Sequence, residues 1–266
     1  MFKQCREIQS QRYFISEITS FNQDVASSDF RRGLILRKES LKSMKWTNRE
    51  LVLLLLLTLV VVPIAIESVL QNFLYQFFGN ALYSGTLTGL VMSIVFTLGV
   101  YFIALRPQHL AWTEVGLQSF PRTYWKWVLF WMLVLIIASI LLVTIMDLFH
   151  IGVENAKTES LTTNMTGFTI SIAFISAAII SPIYEEIFYR GFLYKWIRLK
   201  WGVGCGIVVS SLIFTIVHIP TYNTLPVNFI SGVIFAWTYE KTNSILPAIL
   251  IHGTFNGIAI ILTALT

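Results

Sequence analysis

The chain does not alternate apolar and polar positions; it runs apolar for a helix-length stretch, breaks into a short polar connection, and runs apolar again. A spanning α-helix needs about 20 consecutive apolar residues, and such runs fall at about 51–70, 84–105, 125–149, 166–188, 203–219, 226–240 and 245–264. The pattern predicts an all-α, polytopic transmembrane helix bundle of about seven or eight spans. Three regions follow from it: a polar N-terminal extension over 1–50, a first set of transmembrane helices over 51–160, and a core over 161–266 that holds the chemistry. Within the connections, "LAWTEVGLQSF" at 110–120 reads as a short interfacial helix.

Composition sharpens this picture. The 266 residues are 55% hydrophobic and 12% charged, against roughly 25% charged in a soluble domain. The chain is therefore expected to be an integral, multi-pass membrane protein whose first partner is the lipid bilayer. Its net charge of +5 does not indicate a nucleic-acid partner, because the basic residues gather before the first span (Arg31, Arg32, Arg37, Lys38, Lys42, Lys45, Arg49) and in connections on the same side (Arg106, Arg122, Lys195, Arg198, Lys200, Lys241). Connections on the other side, such as "QNFLYQFFGN" and "HIGVENAKTES", hold few cations, so the positive-inside rule puts the N-terminus in the cytoplasm.

The first fifty residues lack the apolar core of a secretory signal. "MKWTNRELVLLLLLTLVVV" would itself make a natural start at Met44, and the extension 1–43 is expected to be dispensable. Cys5 and Cys205 offer neither a disulfide framework nor a thiolate cluster. Tyr124, Trp125, Trp127, Trp196 and Trp201 stand beside basic residues at span edges, which suits an interfacial aromatic belt.

Chemistry enters with "SPIYEEIFYRGFLY", residues 181–194. A charge at the middle of a bilayer costs about 2.5–3.5 kcal/mol on insertion scales, so such residues are rare unless they work. Glu186 and Arg190 have the i, i+4 spacing of a helical ion pair, whereas Glu185, about 100° round the helix, has no obvious partner there. "FTIVH" places Phe214 and His218 on one helical face, and "HGTFN" does the same for His252 and Asn256. A carboxylate and an imidazole can hold and deprotonate a water, while a second imidazole and a carboxamide donate to an oxygen that becomes negative. Peptide or ester hydrolysis is the chemistry this permits. Glu185, His218 and His252 would alternatively supply three ligands to zinc; water activation needs no cofactor.

In order along the chain, Glu185-Glu186-x-x-x-Arg190, Phe214-x-x-x-His218 and His252-x-x-x-Asn256 resemble the CPBP family of intramembrane endopeptidases, which includes the CAAX prenyl proteases and bacterial proteins linked to bacteriocin self-immunity. The likeness covers roughly 165–262. It implies glutamate-dependent or metal-assisted cleavage in a cytoplasm-facing cavity of a helical bundle. Glu185 and His218 would position the attacking water, His252 and Asn256 would form the oxyanion hole, and Glu186 with Arg190 would shape the site. Without HExxH, any zinc site would be unconventional.

Drawn as straight rods, the spans would leave His218 near the external end of its helix and Glu185 nearer the cytoplasmic end of its own. Pro182, Pro220 and Pro226 allow the helices to break where they line a cavity. Other hydrolase readings fit poorly: "NFISG" with Ser231 lacks the first glycine of a rhomboid-like motif, and the aspartates Asp24, Asp29 and Asp147 all lie away from mid-span. The rival class is a membrane-embedded binding or immunity protein, or a small transporter, whose buried charges act as glue; the stray Glu67 in the first span shows that the chain tolerates an acid there. The expected substrate is a hydrophobic, lipidated or membrane-associated peptide cut near the cytoplasmic face.

Overall fold

The apolar runs become helices. A computed structural model describes residues 45–150 and 166–265, and almost all of them lie in α1 (Asn48–Phe78), α2 (Ala81–Gln108), α3 (Arg122–Leu148), α4 (167–201), α5 (203–216), α6 (Leu225–Thr242) and α7 (Leu246–Leu265). No strand occurs among the described residues. Five stretches among them are long and apolar enough to cross a membrane: α1, α2, α3, the 50-residue run Gly167–Ile216, and α7. The protein is an all-α, multi-pass membrane bundle. The extension up to Met44 and most of the connection after α3 lie outside the described residues.

Local chemistry sets the helix ends. Thr47 accepts the Arg49 amide while Glu50 returns a carboxylate to the Thr47 amide at 2.7 Å, a reciprocal cap for α1. Gly79, at φ +60°, closes α1 in the left-handed region that glycine adopts freely. Asn80 then caps α2 by accepting from the amides of Leu82 and Tyr83. Gly202, at φ +86°, breaks the Gly167–Ile216 run. Past that break α5 runs back along α4, with Gly206 against Tyr194 and Arg198 and the Phe214 ring 5.1 Å from that of Tyr189.

Several readings of the sequence change here. The fourth helix continues well past 188, so Lys195, expected in a charged connection, is only 1% exposed inside it. Trp196, expected in the interfacial belt, is buried and donates its indole N–H to Thr47 O, whereas Trp125, Trp127 and Trp201 are exposed. Residues 71–78, expected in a connection, complete α1. Lys45, Trp46 and Glu50 belong to the packed body: Trp46 is 2% exposed and bonds Ala104 O at 2.9 Å.

The 110–120 segment does hold a short helical turn, Trp112–Val115. Glu114 in that turn receives Lys195 at 2.5 Å and Lys45 at 2.6 Å. Val115 lies against Gly191, where any side chain would collide with its backbone. Downstream, Ile245 N–H donates to Gly116 O and Gln118 donates to Asn243 O, which straps this segment to the α6–α7 turn. Val128 and Leu135 of α3, Ile234 and Phe235 of α6, and Ala248 and Ile251 of α7 form an apolar core. That core brings α6 and α7 together where His252 enters.

Candidate functional site

Wide π-type turns at Ile175–Ile180 and Ile187–Tyr194 bracket the ordinary α-turns of Ser181–Glu186. Such widened turns concentrate at functional positions in helices. Pro182 lies at the start of this stretch, where its missing N–H is best tolerated in a locally remodelled helix. Glu186 and Arg190 are buried completely or nearly so, and Glu185 is 9% exposed.

Glu186 serves two partners through one oxygen. Its Oε1 accepts from Arg190 Nη1 at 3.1 Å and stands 2.9 Å from His252 Nδ1. Because a carboxylate accepts, the imidazole proton on that side belongs to Nδ1. The other ring nitrogen, Nε2, faces Glu185 Oε2 at 3.9 Å. His252 therefore lies between the two adjacent glutamates. The Arg190 guanidinium is held over the Phe214 ring at 4.4 Å and the Phe235 ring at 4.9 Å, and Nη2 reaches Gly232 O at 3.4 Å. Phe235 also stacks on His252, 4.8 Å away and tilted by only 21°.

His218 follows the end of α5 and folds back onto it. Its ring lies 4.8 Å from Phe214, and Nδ1 is 2.6 Å from Phe214 O. A carbonyl oxygen only accepts, so Nδ1 is the donor in this contact. Asn256, one turn beyond His252, donates one amide hydrogen to Ala177 O at 2.9 Å; its second N–H can serve another acceptor. Phe214 is the hinge of the set, touching Arg190, His218 and, at 6.0 Å, His252.

Three buried polar atoms here have no hydrogen-bond partner among the described residues: Glu185 Oε2, Glu186 Oε2 and Arg190 Nε. Buried groups in folded proteins are nearly always satisfied, so such a cluster calls for an explanation. For zinc, three protein ligands would have to converge at about 2.0–2.2 Å from one point. Among the described residues no group of three His, Cys, Asp or Glu side chains comes together in that way. The donor set does not fit the metal as it stands.

Ser181, Gly232 and Phe235 belong to the site although the motifs do not contain them. Ser181 donates its hydroxyl to Glu185 Oε1; it is a same-helix partner for Glu185, at an i, i+4 spacing legible in the sequence. Gly232 packs its backbone against Ser211 and offers its carbonyl to Arg190. Its neighbour Ser231, the faint rhomboid echo, returns its hydroxyl to Val227 O. Phe235 carries no local signal in an apolar run.

Residues 167–258 match the family model described as type II CAAX prenyl endopeptidase Rce1-like. The resemblance to the CPBP and CAAX protease group is upheld over that segment, which contains Glu185, Glu186, Arg190, Phe214, His218, His252 and Asn256. UPF0177 protein YbdI of Lactococcus lactis subsp. lactis (strain IL1403) is 28% identical over 92 residues, 33% of this chain and 47% of that protein. The chain thus spans about half the length of the curated relative it matches. No solved structure matches.

Proposed function

We propose that this protein is an intramembrane endopeptidase that hydrolyses a peptide bond near the cytoplasmic membrane face, with its N-terminus in the cytoplasm. The observation that carries the reading is the face-to-face placement of Glu185 Oε2 and His252 Nε2 at 3.9 Å, each side chain held from behind by Ser181 or Glu186. A reacting carbonyl and a water would meet between a base and a donor.

Glu185 Oε2 takes a proton from the water as its oxygen attacks the carbonyl carbon. His218 helps to hold the attacking water beside Glu185. The carbonyl oxygen becomes negative and receives bonds from His252 Nε2–H and from the second N–H of Asn256. In this role His252 carries a hydrogen on each ring nitrogen, Nδ1–H bonded to Glu186 Oε1, and Arg190 keeps Glu186 in place. When the C–N bond breaks, Glu185 passes its proton to the leaving nitrogen and is restored.

The substrate is a hydrophobic, lipidated or membrane-associated peptide. An apolar groove of about 450 Å³ between α4 and α7, lined by Phe174, Ala178, Ile183, Gly253, Thr254 and Gly257, supports this assignment. The direct test uses an internally quenched, farnesylated peptide ending in a CAAX-type tetrapeptide, together with a comparison of the peptides that accumulate in cells with and without the gene. Glu185→Gln should lose about 10²–10⁴ of turnover, because an amide cannot take the proton. Full turnover in that variant removes Glu185 as the base, whereas no cleavage by the unaltered protein would favour a binding, immunity or transport role. Reversible inactivation by a chelator, with stoichiometric zinc in active protein, would replace the metal-free mechanism.

A further inference from the structure

We infer that Ser181 is a positioning residue for Glu185, holding one carboxylate oxygen so that the other is presented to His252 and the water. The inference rests on the reading of Glu185 as the base. Ser181 lies one turn before Glu185, and its hydroxyl donates to Oε1. Oε2, the oxygen with no partner among the described residues, is the one that faces His252 Nε2. The last torsion of a glutamate side chain is broad and nearly two-fold. Without an anchor the carboxylate would turn, and neither oxygen would be committed to the reacting centre.

The behaviour of Ser181 differs from that of other hydroxyls in the bundle. A serine or threonine within a membrane helix commonly returns its hydroxyl to the carbonyl four residues earlier. Thr58 bonds Leu54 O, Ser211 bonds Ile207 O, Thr215 bonds Ser211 O and Ser231 bonds Val227 O, all at 2.6–2.8 Å. For Ser181 that carbonyl is Ala177 O, and it already accepts from Asn256. The serine hydroxyl is turned instead to the carboxylate. Tyr184 Oη stands 3.4 Å from the same hydroxyl, and the Tyr184 ring packs 5.4 Å from Phe96 of α2. A hydroxyl that donates to Glu185 can still accept from Tyr184, so the base is tied through Ser181 to a tyrosine packed on a neighbouring helix.

Two variants separate this role from plain packing. Displacing a reacting group by about 1 Å costs on the order of 10²-fold, so Ser181→Ala should lower kcat on the farnesylated quenched peptide by about 10–10² with KM unchanged. Ser181→Thr, which keeps the hydroxyl, should recover most of that loss. Independently of any substrate, the infrared carboxylate stretch that disappears in Glu185→Gln should shift in Ser181→Ala and return in Ser181→Thr. Unchanged kcat and an unshifted band in folded Ser181→Ala overturn the positioning role and leave the base reading intact. Full turnover in Glu185→Gln overturns both.

Discussion

Two buried charge clusters sit along α4, and they are built to different standards. At its end, Glu114 meets Lys195 and Lys45: Oε1 and the backbone carbonyl take Lys195, Oε2 takes Lys45, and the Trp46 ring lies 5.5 Å from the Lys195 ammonium. Nearer its middle, Glu185, Glu186, Arg190 and His252 share contacts yet leave three buried polar atoms without partners among the described residues. Both clusters bring charge out of water. The first uses every carboxylate oxygen to fasten the Trp112–Val115 turn to α4, while the second leaves Glu185 Oε2, Glu186 Oε2 and Arg190 Nε without hydrogen-bond partners among the described residues. Full satisfaction suits a fastener, and incomplete satisfaction suits a site.

The sharpest way to break this comparison is to remove one acid from each cluster. Glu185→Gln should lose about 10²–10⁴ of turnover with little change in melting temperature in detergent. If it instead melts early, the second cluster is also a fastener. Glu114→Ala should do the reverse. It leaves Lys195, 1% exposed, buried without its carboxylate, and breaking a buried pair from one side costs about 3–5 kcal/mol. Its melting temperature should drop while kcat per folded molecule holds.

Asn256→Ala probes the open cluster more finely. Loss of one oxyanion donor typically lowers turnover by about 10²–10³, so steady-state kinetics should show that fall in kcat with KM little changed. An equal rise in KM would make Asn256 a binding residue.

A smaller effect separates the clusters by pH. Burial works against the charge on Glu114, but its bonds to Lys195 and Lys45 outweigh that and hold its carboxyl below the ordinary 4.5. A folded-state value below the unfolded one contributes stability that is present above about pH 4.5 and is lost as pH falls below it. Melting temperature should therefore decline below pH 4.5, and Glu114→Gln should flatten that part of the profile. The smallest expected effect is none: a chain beginning at Met44 should insert and turn over normally. A start after Thr47 should not, because it discards Lys45, the buried Trp46 and the cap of α1.

By itself the sequence marked the apolar rods, though not all of their ends, and the spacing of contacts within one helix. Apolar length marks the rods, because a span must bury about 20 residues in hydrocarbon. The Glu186–Arg190 pair follows from helical pitch, which returns a side chain to the same face every three or four residues, whereas His218 lies past the last residue of α5 and comes back to Phe214 through a turn. The Ser181–Glu185 contact obeys the same rule of pitch and is legible in the spacing. Cross-helix meetings obey no such spacing. His252 lies 66 residues beyond Glu186, and only the packing of α6 and α7 on α4 could set its ring between the two glutamates and lay Phe235 against it. The burial of Lys195 was equally hidden, because a lysine after an apolar run reads as a loop cation until a carboxylate from another segment is packed against it. Pitch is a property of the chain, whereas the pairing of distant faces is a property of how helices fit together, and that was decided by tertiary structure alone.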